Sequence, residues 1–211
     1  MDTAKMKHAA LAMALGAAVS LPFGAYAQDA DSVVEQIEAG LSFYQEQSYS
    51  DAINELQFAI NEIRGLLVGE LAATFPEPAE GWEAKDVESE GGGAAAFLGG
   101  GLMLNRNYRQ ADTNGNIDVQ LIADSPMIQG FAAMASNPAL LASQPNAERI
   151  RVGRENAIVS YDPDRRRGEL TFVSGGRVMI KFEARNIDNS DALKALFKAW
   201  DLKALKYILA L

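Results

Sequence analysis

The chain has 211 residues, no cysteine, a single histidine and a formal net charge of −9. This composition excludes Cys-His nucleophiles, and it excludes zinc sites built from several cysteine or histidine ligands. The acidic charge argues against nucleic acid as a partner, because such binding requires clustered lysine and arginine.

The first 27 residues have the three zones of a cleavable secretory signal. Lys5 and Lys7 precede an apolar stretch over residues 9–21, and Ala25-Tyr26-Ala27 is a small-x-small cleavage site. The apolar stretch is shorter than the roughly 20 residues that a membrane-spanning helix needs. We therefore expect cleavage after this site and a mature chain in the periplasm or outside the cell, with no integral membrane segment.

Cleavage would also remove the one histidine, His8, and leave 17 basic against 27 acidic residues, a net charge of −10. The mature chain would then lack imidazole as a general base or metal ligand, so Ser-His-Asp catalysis is excluded as well. We expect no metal and no cofactor. Hydrolysis by carboxylates alone remains formally open, with Asp118, Asp124 and Asp162 as candidates that the sequence does not rank.

Apolar residues recur at helical spacing between about residues 31 and 71. The two stripes are Val33, Val34, Ile37, Leu41 and Tyr44, followed by Ile53, Leu56, Ile60, Ile63 and Leu67. A polar segment over residues 47–50 separates them and predicts a short turn, with Ser48 or Ser50 capping the second helix. The pattern therefore predicts two antiparallel helices.

The spacing within this hairpin resembles a single tetratricopeptide repeat. The matching positions are Ala39, Gly40, Phe43, Tyr49, Ala52, Leu56 and Ala59. Gln36 and Arg64 depart from the repeat, which has tryptophan and proline there. The resemblance implies a surface for protein contacts, with Phe43, Tyr44 and Tyr49 as candidate docking residues. The alternative, which stays open, is a hairpin packed on the next domain or on another subunit.

Pro76, Pro78 and Gly81 end the helical pattern and predict a boundary between a hairpin domain over residues 28–75 and a second domain over residues 76–211. After the boundary the apolar period becomes that of strands. Six strands are predicted, over residues 106–110, 116–123, 149–153, 157–161, 169–173 and 177–185.

Two helices accompany these strands, one over residues 126–143 and one that begins near Asn189 or Ser190 and continues to Ile208. We expect both helices to cover one face of a mostly antiparallel sheet, an arrangement of the α+β class. The order of elements, starting at Gly81-Trp82, resembles the PsbP-like α/β/α sandwich. That resemblance implies an accessory or binding protein rather than an enzyme.

Three loops carry candidate site residues. Phe97 and Leu98 lie between two glycine triplets and could form a flap over a ligand, or an ordinary connector. Arg165-Arg166-Arg167 follows a predicted turn and could contact an acidic partner, or remain solvated. Residues 112–118 suggest a calcium loop, because they alternate oxygen-bearing side chains. The positions of their glycine and acidic residues do not match the EF-hand pattern, so a hairpin turn is predicted instead.

The sequence favours an exported, non-enzymatic interaction protein whose hairpin docks a protein partner or a second copy. A second hypothesis is a carrier of lipid or another small ligand, with a pocket between the sheet and the helix over residues 126–143. A carboxylate-dependent hydrolase is the third and most remote hypothesis.

Overall fold

The computed structural model describes residues 24–90, 101–135 and 146–211. The chain divides into two compact units, of which the first ends at Glu62 and the second runs from Ile63 to Leu211. The boundary lies inside a continuous helix. In the described ranges, no helix combines the length and apolar character needed to cross a membrane.

Two helices, α1 (Gly24–Gln45) and α2 (Tyr49–Ala72), form the predicted hairpin. Gln47 adopts a left-handed conformation with φ of 63°, and the N–H of Ser48 donates to the carbonyl of Phe43 at 2.9 Å. This is the Schellman arrangement that ends many helices. The Ser48 hydroxyl then donates to Asp51 in the first turn of α2, at 2.6 Å.

The second unit contains an eight-stranded antiparallel sheet in its described residues. The strands are β1 (Trp82–Ala84), β2 (Glu88–Glu90), β3 (Leu102–Gln110), β4 (Gly115–Ala123), β5 (Ala147–Val152), β6 (Glu155–Asp162), β7 (Arg167–Ser174) and β8 (Val178–Arg185). Their order is β1-β3-β4-β8-β7-β6-β5, and β2 also pairs with β3. The α+β class is thereby confirmed. Gln110 pairs with Gly115 across the β3–β4 turn, which confirms the hairpin predicted at residues 112–118.

Three further helices accompany the sheet: α3 (Met127–Ala135), α4 (Asp191–Lys198) and α5 (Leu202–Ile208). The C-terminal helix, predicted as continuous, is interrupted between α4 and α5. Asp201 causes the interruption, because its carboxylate accepts a hydrogen bond from the N–H of Ala204 at 2.9 Å and begins a new helix.

Alternation along the strands sends large apolar side chains to one face, where α4 covers them. Phe172 and Phe182 are fully buried and lie 5.2 and 6.0 Å from the ring of Phe197. On the opposite face Ile128 of α3 clusters with apolar side chains of β4 and β8. The unit therefore has helices on both faces of its sheet, whereas the residue pattern predicted both helices on one face.

The end of α2 belongs to this second unit. Leu71 is fully buried in the sheet core, and the ring of Phe75 lies 4.5 Å from that of Trp200. The indole N–H of Trp200 donates to the Thr74 hydroxyl at 3.2 Å. The sequence predicts a domain boundary at Pro76, whereas packing joins the preceding residues to the sheet.

Candidate functional site

The two hairpin helices meet along a seam of small side chains. Gly40, Ala52 and Ala59 are buried there. A Cβ atom added to Gly40 would lie 2.8 Å from Cγ of Leu56, so the close approach of the helices depends on glycine at this position. Apart from Val33, the buried residues are glycine and alanine, so the seam uses little of the hairpin's apolar content.

Polar side chains complete the same seam. The Ser32 hydroxyl donates to the Glu62 carboxylate at 2.5 Å and joins the start of α1 to α2. The carbonyl oxygen of Gln36 is buried and accepts no hydrogen bond. Gln36 stands where the tetratricopeptide repeat has tryptophan, so the seam lacks the large apolar group that would fill this place.

Ten large apolar side chains of the hairpin are exposed instead. Phe58 lies on the opposite side of α2, and the other nine are Val34, Ile37, Leu41 and Tyr44 on α1, and Tyr49, Ile53, Leu56, Ile60 and Ile63 on α2. The most exposed aliphatic residue is Ile53, at 66%, and Leu41 on the facing helix is 54% exposed. Within each helix the spacing alternates between three and four residues, which is the a/d pattern of helices that pack against other helices.

Both stripes lie on the same side of the hairpin. On α1 each residue of the stripe comes one position after a seam residue in the sequence, as Leu41 comes after Gly40. On α2, Ile53 comes one position after Ala52 in the same way. One position is a rotation of about 100° around a helix axis. In an antiparallel pair these two rotations lead to the same side. The nine side chains therefore form one continuous surface, which we call the hairpin face.

The predicted docking residues occupy different places on this surface. Tyr44 and Tyr49 lie at the turn end of the hairpin face, 62% and 57% exposed, with ring centroids 5.9 Å apart. Phe43 is half-buried and lies one position before the stripe of α1, on the seam side. The sequence pointed only to the aromatic end, whereas exposed aliphatic residues continue the surface along both helices.

The charge around the hairpin face is negative. Between residues 24 and 62 the sequence contains eight acidic residues and no lysine or arginine. On the outer side of the α1 stripe, Glu35 and Glu38 are exposed, whereas the outer side of the α2 stripe carries exposed Asn54, Gln57 and Asn61. The face is thus bordered by one acidic edge and one amide edge.

The basic turn has acidic partners within its own chain. The Arg166 guanidinium donates to Asp188 at 2.6 Å, and Arg165 lies 3.7 Å from the carboxylate of Asp162. Arg167 is the first residue of β7 and is exposed. Two of the three arginines are therefore already paired, and their docking of an acidic partner stays a prediction. Phe97 and Leu98, the candidate flap residues, lie outside the described residues.

The candidate catalytic carboxylates each have a separate local partner. Asp118 accepts a hydrogen bond from Asn107 at 2.5 Å, and Asp124 pairs with Arg177 at 2.7 Å. Asp162 accepts two backbone N–H groups of the turn that follows it. Each of the three carboxylates therefore has its own local partner, and their use as general acid and base stays a prediction.

A row of acidic residues crosses the sheet on the face opposite its main core. Asp118 and Glu169 are both cross-strand neighbours of Glu183. The hydrogen bond from the Lys181 ammonium to Glu183, at 2.5 Å, holds the pKa of Glu183 below its usual range. Throughout the described part of the chain, no three acidic or histidine side chains are placed to hold a metal ion.

A cavity of about 380 Å³ lies beside α3, where the sequence predicted a ligand pocket. Ala132 lines its helix side and Ile158, Thr171 and Val173 line its sheet side, while Arg149 contributes a charge. The mixture of apolar and charged walls suits a small amphipathic molecule better than a purely apolar one.

No family model, curated protein or solved structure matches this chain.

Proposed function

We propose that this chain is an exported, non-enzymatic binding protein that docks its partner through the hairpin face. The observation that supports the proposal is the clustering of nine large apolar side chains on one side of two helices. If each exposes about half of its roughly 170 Å², the surface amounts to on the order of 800 Å².

A surface of this size is unusual for a protein that functions alone. The largest apolar patch on a typical monomer is about 300–600 Å², and larger patches commonly mark interaction sites. About 800 Å² is also what one partner contributes to an interface of standard size. Leaving this area in water would be costly, because each buried aliphatic or aromatic side chain contributes about 1.5–3 kcal/mol relative to an exposed one.

Site-specific photo-cross-linking in the native compartment tests the docking role. A photoreactive residue at Leu41, within the hairpin face, should give a protein adduct of defined mass. The control is the same residue at Phe58, which is 60% exposed but lies one position before the seam residue Ala59, on the opposite side of α2. Equal adducts at both positions, or none at Leu41, would contradict the proposal.

The cavity beside α3 supports a second candidate function, that of a small-ligand carrier. Native mass spectrometry of the protein taken from its own compartment should then reveal a bound molecule. A Thr171→Trp variant, which fills the cavity from the sheet side, should lose that molecule while it retains the fold. Spectra of the unsubstituted protein without any added mass would rule out this candidate.

A further inference from the structure

We propose that the partner of the hairpin face is a second copy of the same chain, so that two hairpins form a four-helix bundle. This inference rests on the proposed docking function and names its partner. The a/d spacing on both helices is the pattern with which four-helix bundles fill their core. A hairpin that exposes two such stripes on one side is half of a bundle.

The area of the hairpin face fits a second copy of the chain as its partner. Each copy would contribute on the order of 800 Å², the amount that a standard-size interface takes from each partner. The face is two helices wide, and its apolar stripes run along both helices to the turn end, where the rings of Tyr44 and Tyr49 lie 5.9 Å apart. A single docked helix would fill the groove between the two stripes, whereas a second hairpin covers both of them.

The side chains along the two edges of the hairpin face favour one two-fold symmetry for the dimer. A two-fold axis parallel to the helices places α1 of one copy against α2 of the other. Glu35 and Glu38 on the acidic edge then face the amides of Gln57 and Asn61 of the second copy, which can donate hydrogen bonds to carboxylates. A perpendicular axis would place α1 against α1 and bring acidic edges together, which is unfavourable. We therefore infer the parallel axis.

Contacts within one hairpin show which residues of α1 and α2 lie at the same height along the helix axes. Ser32 meets Glu62, and Gly40 lies against Ala52 and Leu56. Leu41 and Ile53 are therefore at about the same height. With the two-fold axis parallel to the helices, Leu41 of one copy lies against Ile53 of the second copy, near the middle of the bundle.

The first test compares masses by light scattering after size-exclusion chromatography, on residues 28–211. The unsubstituted chain should be a dimer. Ile53→Asp should raise the dissociation constant by on the order of 100-fold or more, because a symmetric interface carries each substitution twice. Phe58→Asp is the matched control, since it places the same charge on an equally exposed residue of the opposite side, and it should remain dimeric. Helix content by circular dichroism verifies that both variants are folded.

Added salt distinguishes a second copy from a basic partner. Each hairpin has many more acidic residues than basic ones, of which Arg64 is one, so two copies repel each other and salt should strengthen their association by screening this repulsion. A basic helix bound to the same face would dissociate as salt is added. Weakening of the dimer by salt would therefore contradict an apolar interface between two acidic hairpins.

Thiol cross-linking tests the symmetry, and the absence of native cysteine makes it specific. Leu41→Cys and Ile53→Cys proteins should each give little covalent dimer with a short bis-maleimide when treated alone. When mixed and allowed to exchange, they should give a covalent heterodimer in high yield. Efficient cross-linking of Leu41→Cys alone would overturn the parallel axis.

The outcomes separate this inference from the docking function on which it rests. A monomeric chain at every soluble concentration overturns the second copy as partner. If Leu41 nevertheless cross-links to a different protein in the native compartment, docking through the hairpin face still holds. A monomer that gives no adduct at Leu41 overturns both. Loss of the dimer in Phe58→Asp as well as Ile53→Asp would place the interface elsewhere.

Discussion

The two units use their large apolar residues in opposite ways. In the sheet unit, large side chains such as Phe172 and Phe182 are fully buried between β-strands and α4. In the hairpin the buried positions are glycine, alanine and one valine, Val33, whereas the isoleucine and tyrosine side chains are exposed. An apolar stripe therefore indicates that a helix face will be buried, but it does not indicate whether the same chain or another one buries it.

The comparison is tested most strongly by truncating one large side chain in each unit. Phe182→Ala should destabilise the sheet unit by about 3–5 kcal/mol, because it opens a cavity beside Phe197 and Trp200. Ile53→Ala, measured at a protein concentration low enough for the chain to be monomeric, should change the free energy of unfolding by less than about 0.5 kcal/mol. Urea unfolding followed by circular dichroism measures both. A large loss for dilute Ile53→Ala would mean that the chain itself packs the hairpin face.

The sheet unit should also have an alkaline transition that comes from Tyr108. Its hydroxyl donates to the carbonyl of Pro76 at 2.7 Å, and burial raises its pKa from 10.0 to about 12. Since the pKa is higher in the folded state, the stabilising effect is complete below pH 10 and is lost as the pH rises from 10 to 12.

Tyr108→Phe should remove this alkaline component and cost about 1 kcal/mol at neutral pH through the lost hydrogen bond. Denaturation midpoints recorded across the alkaline range measure the effect. Tyr207→Phe is the control, because Tyr207 is 87% exposed and its replacement should leave the neutral-pH stability unchanged. An alkaline loss that persists undiminished in Tyr108→Phe would assign the transition to another group.

In the hairpin, the seam should gain stability when its unpaired polar atom is removed. Gln36→Leu replaces a buried carbonyl oxygen that accepts no hydrogen bond, and it should stabilise the hairpin by about 1 kcal/mol. Thermal melting by circular dichroism would detect the gain as a higher midpoint. A lower midpoint would mean that the amide has a role in the seam that outweighs its desolvation.

The smallest effects should come from two glycines, and they should differ in size or in sign. A Cβ on Gly40 would meet Leu56 at 2.8 Å, whereas one on Gly65 would meet no atom within 4 Å. Gly65→Ala should stabilise α2 by about 0.5–1 kcal/mol through helix propensity. Gly40→Ala should gain less or lose stability, because the seam must widen. The same sign and size in both variants would show that the close approach at Gly40 is not required.

Much of the fold followed from local patterns in the sequence. The stripes of the two hairpin helices and the alternation along β4 and β8 are regular over many residues, so their elements were predicted. Strands β1 and β2 have three residues each, which is too short for a period to be visible. The interruption before Asp201 was missed because the apolar period continues through it, while a single side-chain hydrogen bond determines where α5 begins.

The candidate site was only partly predictable. The aromatic pair at the turn end was identified from the repeat-like spacing. The two stripes form one surface because of which residues form the seam between the helices. The choice of seam residues in turn depends on how closely Gly40 allows the two helices to approach. Long-range packing of this kind leaves no separate signal in the sequence, since seam and face are both made of apolar residues one position apart.

The continuity of α2 has a consequence for how such a protein can evolve. The helix begins in the hairpin with Tyr49 and ends at Ala72, directly after Leu71 in the sheet core. A recombination event at the proline-rich segment that follows would separate the sheet from residues that fill its interior. Exchange of the whole hairpin at that segment would therefore remove Leu71 from the sheet core, whereas substitution of exposed residues on the hairpin face would leave that core intact.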